Sequence, residues 1–257
     1  MSSIDFSSTL IAPPRSDPAP RRPQAGRDLG CRVPGALARL NYRIGQLIGR
    51  SIFSITMNVR TVRLAAAGRE GGYVLACSHL SHIEPVVVGV LVDRKIDFMS
   101  RIEFFRNWLS SAYLWSIDAF PVKRFSFTGR AVRSAVNRAA AGRVVGIFPE
   151  GGVATGTDSV CRGGPIKRGA CVIAQRADVP IIPCVVVGTE RLNRPLPWIP
   201  YRRGHLWVIF GDPIFPRTGP SRREARFAMA EELRTTFKAL YEELRATHDL
   251  SRGEGSA

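Results

Sequence analysis

The chain has 257 residues and 45% hydrophobic content, enough for one large domain or for one domain with a small accessory element, which excludes a disordered protein. Its formal charge of +16 comes mostly from arginine, with only four lysines, and an excess of that sign attracts either nucleic acid or an anionic membrane surface with phosphorylated substrates. The five cysteines (Cys31, Cys77, Cys161, Cys171 and Cys184) are odd in number, scattered and free of C-x-x-C spacing, which argues against a disulfide framework or a zinc site and for a reducing compartment.

Residues 1–35 carry Pro13, Pro14, Pro18, Pro20, Pro23 and Pro34 among Ser and Arg with no apolar core, so they read as a disordered Pro/Arg-rich leader rather than a secretory signal. Residues 36–70 read as an amphipathic, membrane-associating helical segment. From Leu37 to Leu64 the residues Leu37, Leu40, Ile44, Leu47, Ile48, Ile55 and Val59 recur at helical spacing, interleaved with Arg39, Arg43, Arg50, Arg60 and Arg63. No stretch reaches the ~18 uninterrupted apolar residues of a bilayer span, and Arg50 lies in the middle of the best candidate. Such a helix, or pair of helices, lies on a membrane surface or packs its apolar face on the domain, and the period fits both equally.

Residues 71–218 alternate strand-like and helix-like segments: Tyr73 to Cys77, Pro85 to Val92, Ile96 to Met99, Glu103 to Trp115, Ala119 to Val122, Gly129 to Ala141, Val144 to Phe148, Gly169 to Ala177, Ile181 to Val187 and Leu206 to Phe210. The alternation predicts an α/β fold. The runs Val144 to Phe148 and Ile181 to Val187 are apolar throughout, as in central strands covered on both faces, so the sheet is expected to be mixed and mostly parallel, with flanking helices. Residues 219–257 form a C-terminal helix and tail, with Phe227, Met229, Leu233, Phe237, Leu240, Tyr241 and Leu244 on a helical period that closes the fold.

Chemistry concentrates in three blocks. In Ser78-His79-Leu80-Ser81-His82-Ile83-Glu84-Pro85 a histidine precedes a carboxylate by five positions, directly after an apolar strand and at a helix start. Glu84 can there accept the proton on one imidazole nitrogen of His79 and leave the other as a base. An isolated histidine is more often a hydrogen-bonded structural residue, and a metal reading through His79, His82 and Glu84 lacks further ligands nearby, so no metal is expected. In Phe148-Pro149-Glu150-Gly151-Gly152 a strand ends in a carboxylate and glycines that let backbone N–H groups approach an anion, although a plain strand-to-loop turn has the same composition. Lys167 and Arg168 then place two cations at a helix start, suited to phosphate or to solvent. In Phe120-Pro121-Val122-Lys123-Arg124 an arginine could fork onto a phosphate or simply end a surface strand.

Taken in order with Val179-Pro180-Ile181-Ile182-Pro183 running to Gly188-Thr189, these blocks resemble the glycerolipid acyltransferase family typified by lysophosphatidic acid acyltransferase, over roughly Tyr73 to Phe215. The resemblance implies transfer of a fatty acyl group from an acyl-CoA or acyl carrier protein thioester to a hydroxyl of a lysophospholipid such as 1-acylglycerol-3-phosphate. His79 is then the general base, Glu84 its orienting carboxylate, and Arg124, Glu150 and Gly151 the acceptor site, with Lys167 and Arg168 added on charge alone. It implies no cofactor beyond the thioester co-substrate, a lysolipid acceptor, and a peripheral position on the cytoplasmic face of an anionic membrane. Two departures stand out. The family usually has Asp where this chain has Glu84, an added methylene that calls for an adjustment of about 1 Å. Where members commonly read Thr-Arg-Ser after Glu-Gly, this chain reads Gly152-Val153-Ala154, so either the acceptor differs from plain lysophosphatidic acid or Arg162, Lys167 or Arg168 supplies the lost cation.

The alternatives are acylation of an amino-acid-containing lipid or a glycolipid, and a basic membrane-binding protein without turnover. Nucleic acid is not expected, because aromatic residues are not interleaved with basic ones on any one strand.

Overall fold

The computed structural model describes residues 35–101, 120–122, 129–190 and, apart from positions 218, 220 and 249, 204–250. A seven-stranded sheet in the order β1-β7-β6-β2-β5-β3-β4 forms the centre. Its strands are β1 (Met57–Val62), β2 (Tyr73–Cys77), β3 (Ile96–Arg101), β4 (Phe120–Val122), β5 (Val144–Ile147), β6 (Ile181–Val187) and β7 (Gly204–Phe210). Among the described strands only the β6–β7 pair is antiparallel, so the mixed, mostly parallel α/β sheet expected from the sequence is what forms.

Alternation along the strands sends side chains to two cores. In β2, Val74 and Ala76 enter the core covered by α3 (Gly129–Ala140), α4 (Gly169–Ala177) and α5 (Arg222–Thr247). Tyr73, Leu75 and Cys77 enter the opposite core, with Phe53 of α1 (Gly35–Thr56) and Val87, Val88 and Val90 of α2 (Glu84–Leu91). The wholly buried runs β2, β5 and β6 are the central strands, which is why they carry no polar alternation. Ser221 opens α5 by accepting from the Glu224 N–H at 3.1 Å.

The N-terminal segment differs from its sequence reading in where its helix ends. The helix expected from Leu37 to Leu64, within residues 36–70, ends at Thr56, and Met57–Val62 is a strand in parallel register with β7. Met57 and Val59 turn inward between exposed Asn58 and Arg60, as an edge strand requires, but Ile55 and Val59 also sit four apart, which mimics a continuing helix. In addition, α1 docks through polar groups. Gln46 donates to the carbonyls of Gly89 at 2.9 Å and Val92 at 2.6 Å, Tyr42 to Gly89, and Arg50 to Val90. Phe53 enters the core, but Leu47 at 65%, Ile48 at 56% and Ile55 at 76% exposure are left outside, so most of the apolar stripe does not pack on the domain. The helix-like segment Glu103 to Trp115 and the cations Lys123 and Arg124 lie outside the described residues.

Candidate active site

Parallel strands β6, β2 and β5 end side by side, and their following loops meet at one edge of the sheet. After β2 the chain turns to β3 on one side, and after β5 it crosses to β6 on the other, so the edge carries the crevice at which α/β sheets place their ligands. The loop after β2 carries His79, the loop after β5 carries Glu150 and Gly151, and the loop after β6 carries Thr189. Ser78 fixes the first of these loops. Its hydroxyl oxygen accepts from the Val186 N–H at 3.0 Å, and its own N–H donates to the Cys184 carbonyl at 3.0 Å.

His79 and Glu84 come together. His79 Nδ1 lies 2.8 Å from Glu84 Oε2; the Glu84 side chain is wholly buried and the imidazole 13% exposed. Glu84 Oε1 accepts from the Leu80 N–H at 2.9 Å and from the Thr189 hydroxyl at 2.6 Å. Burial pushes the Glu84 carboxyl well above the ordinary carboxylate range; Glu190 adds to the rise, and the Thr189, Ser81 and Leu80 hydrogen bonds act against it. A carboxylate made this basic holds an adjacent imidazolium strongly, and its three donors fix its direction. The added methylene of glutamate is thus accommodated at the first residue of α2, with Pro85 in the first turn.

The imidazole is also packed. Phe148 stacks on it with ring centroids 4.3 Å apart, and Phe98 lies 6.1 Å behind Phe148 in a near-parallel orientation. Gly146 makes room for this column, since a Cβ there would stand 2.6 Å from the Phe98 ring. His82 is exposed, its ring edge-on to His79 at 6.1 Å. Thr189, Phe148 and Ser78 drew no individual role in the sequence reading. Their one signal was position, each beside the end of an apolar strand.

The second block reaches the same crevice. The Ala154 N–H donates to the His79 carbonyl at 2.8 Å, which ties the loop after β5 to the histidine. Glu150 Oε1 accepts from the Val160 N–H at 3.0 Å, and its Oε2 is buried with no hydrogen-bond partner among the described residues. Burial raises the Glu150 carboxyl from an ordinary 4.5 to about 7; the N–H groups of Val160 and His79 and the His79 ring oppose the rise, and Glu84 adds to it. A carboxyl whose folded pKa is raised favours the folded state below pH 4.5, and that contribution is lost as pH climbs toward 7. Stability measured by thermal melts is therefore expected to fall across this window, and Glu150→Gln to flatten the fall; an unchanged slope in the variant would assign it elsewhere.

Lys167 and Arg168 part company. The Lys167 N–H donates to the Pro149 carbonyl at 2.7 Å, and its side chain lies against Gly151, where a Cβ would meet Nζ at 2.1 Å. Arg168 stacks its guanidinium on Phe227 of α5 at 4.1 Å. Arg162 is exposed at the end of a short 3-10 turn (Val160–Arg162). Lys167 thus rests on the Glu150–Gly151 turn. The buried thiols offer no ready nucleophile here, as burial pushes Cys161 to about 12 and Cys171 to about 11.

An imidazole backed by a buried carboxylate at the carboxyl edge of a parallel sheet is the arrangement of an α/β enzyme that works through a side-chain base. The sequence model of the acyltransferase family matches residues 55–187, and the chain belongs to that family as a PlsC-like O-acyltransferase. It is 29% identical over 197 residues to the 1-acyl-sn-glycerol-3-phosphate acyltransferase of Bacillus subtilis, covering 75% of this chain and 93% of the relative. It is 24% identical to the enzyme of the same name from Streptococcus pneumoniae, over 70% of this chain and 65% of that one. The crystal structure of PlsC, the 1-acyl-sn-glycerophosphate (LPA) acyltransferase of Thermotoga maritima, matches 79% of each chain with a TM-score of 0.56 at 18% identity, a likeness of fold.

Proposed function

We propose that this protein transfers a fatty acyl group from an acyl-CoA or acyl carrier protein thioester to a free hydroxyl of a lysophospholipid such as 1-acylglycerol-3-phosphate. The observation that carries the reading is the 2.8 Å contact between His79 Nδ1 and a wholly buried Glu84. With the Nδ1 proton held by Glu84, Nε2 is the basic nitrogen. It takes the proton from the acceptor hydroxyl as the oxygen attacks the thioester carbonyl, and Glu84 stabilises the imidazolium. The C–S bond then breaks, and the proton passes from Nε2 to the departing thiolate, leaving an ester and a free thiol. No acyl-enzyme forms, and no cofactor beyond the thioester is needed, because base and carboxylate are both side chains. Glu150 and Gly151 line the acceptor side, with Lys167 as the cation for its phosphate. The names borne by the relatives support this acceptor class.

The enzyme would work from the cytoplasmic surface of an anionic membrane. No helix among the described residues is long and apolar enough to cross a bilayer, whereas α1 exposes Leu40, Ile44, Leu47, Ile48 and Ile55 beside Arg39 and Arg43. Leu47→Asp with Ile48→Asp is expected to abolish co-sedimentation with anionic vesicles; retention on the vesicles would refute the α1 reading. Free-thiol release from acyl-CoA and from acyl carrier protein, with 1-acylglycerol-3-phosphate, other lysolipids or no acceptor, tests the reaction itself. Release that depends on the acceptor supports the proposal, and its absence with every pair refutes it.

A further inference from the structure

We infer that Thr189 is a positioning residue of the reaction, the group that holds the Glu84 carboxylate in register with His79; this rests on the proposed role of that pair. Thr189 has no exposed surface, and its hydroxyl donates to Glu84 Oε1 at 2.6 Å across 105 positions of sequence. The other oxygen, Oε2, faces His79 Nδ1. Of the two donors on Oε1, the Leu80 N–H belongs to the His79 loop itself and moves with it. Thr189 belongs to the opposite wall, at the end of β6. It is therefore the contact that ties the carboxylate to the sheet rather than to its own loop.

Two features of the chain aim Thr189 there. Gly188 ends β6 with φ +96, and a Cβ at that position would stand 2.2 Å from the His205 carbonyl oxygen, so the left-handed turn into Thr189 is open only to glycine. The Gly188 N–H is then held by Glu190 Oε2 at 2.9 Å, which brackets Thr189 on both sides. Chemically, a hydroxyl donor stabilises the ionised form of Glu84 against the burial that opposes it. Without it one oxygen keeps a single backbone donor, and the carboxyl holds a proton to higher pH. The protons of the pair belong to both groups, so the change appears in the titration of the imidazole as well.

The test compares Thr189→Val, nearly isosteric and without the hydroxyl, with Thr189→Ser, which restores a donor. The valine variant is expected to lose roughly ten- to hundredfold in kcat. KM for both substrates should stay within about twofold, the acidic limb of the kcat profile should move to higher pH, and serine should recover most of the rate. Independently of turnover, ¹⁵N NMR of the imidazole should show the His79 titration displaced in the valine variant and near wild type in the serine variant. A valine variant with wild-type kcat, or a loss that follows a lowered melting temperature while limb and imidazole titration stay put, would overturn the inference. A titration displaced in the valine variant, with a wild-type protein that turns over no substrate, would instead uphold the positioning role and sink the proposed reaction.

Discussion

His79→Ala is expected to reduce acceptor-dependent thiol release by roughly 10²–10⁴-fold, the range over which a positioned general base acts, while vesicle binding and the melting profile stay close to wild type. The imidazole sits between a carboxylate at Nδ1 and the face of Phe148, so both its tautomer and its plane are set before an acceptor arrives. Removing it leaves the thioester and hydroxyl bound without a proton acceptor, which lowers kcat more than it raises KM. Truncation also leaves Glu84 short of one donor in a buried site, which pushes that carboxyl further toward its neutral form and compounds the loss. Fold is insulated from the change, because the ring lies at the sheet edge and the cores are filled by β2, β5 and β6. Turnover within about threefold of wild type in the alanine variant would remove His79 from the mechanism.

What could be read from the sequence was local. The apolar runs Val144 to Phe148 and Ile181 to Val187 announce central strands by themselves, because a strand buried on both faces needs no partner in sequence to be recognised. The same holds for His79 and Glu84, which are five residues apart across one strand-to-helix turn. Long-range contacts were not legible. Met57–Val62 becomes a strand because β7 offers an edge 147 positions later, and its residues satisfy a helical period equally well. Thr189 reaches Glu84 only once β6 lies beside β2, and Gly146 has meaning only when the Phe98 ring is seen covering it. The apolar residues of α1 followed the expected period, yet no pattern could say that Gln46 and Tyr42 would dock the helix and leave Leu47 and Ile48 outside. The separation of Lys167 from Arg168 was likewise set by tertiary contacts, one side chain drawn to Gly151 and the other to Phe227.

Glu84→Asp should lower kcat, although aspartate is what the family usually carries at this position. The glutamate carboxylate meets three donors at once, His79 Nδ1 at 2.8 Å, the Leu80 N–H at 2.9 Å and Thr189 Oγ1 at 2.6 Å. Removing one methylene withdraws the carboxylate by about 1 Å, and a displacement of that size at a catalytic constellation costs up to ~10²-fold. The backbone has little freedom to follow, since position 84 opens α2 directly before Pro85 and the helix packs Val87, Val88 and Val90 into the core. Aspartate can keep the contact to its own loop or the contact to the imidazole, while Thr189 on the far wall stays where β6 holds it. The effects of Glu84→Asp and Thr189→Val should consequently fail to add: the hydroxyl matters for the glutamate enzyme and little for the aspartate one. A double-mutant cycle on kcat measures this. Full activity of the aspartate variant, or strictly additive losses, would mean that the crevice accepts either carboxylate and that the Thr189 contact follows from Glu84 rather than fixing it.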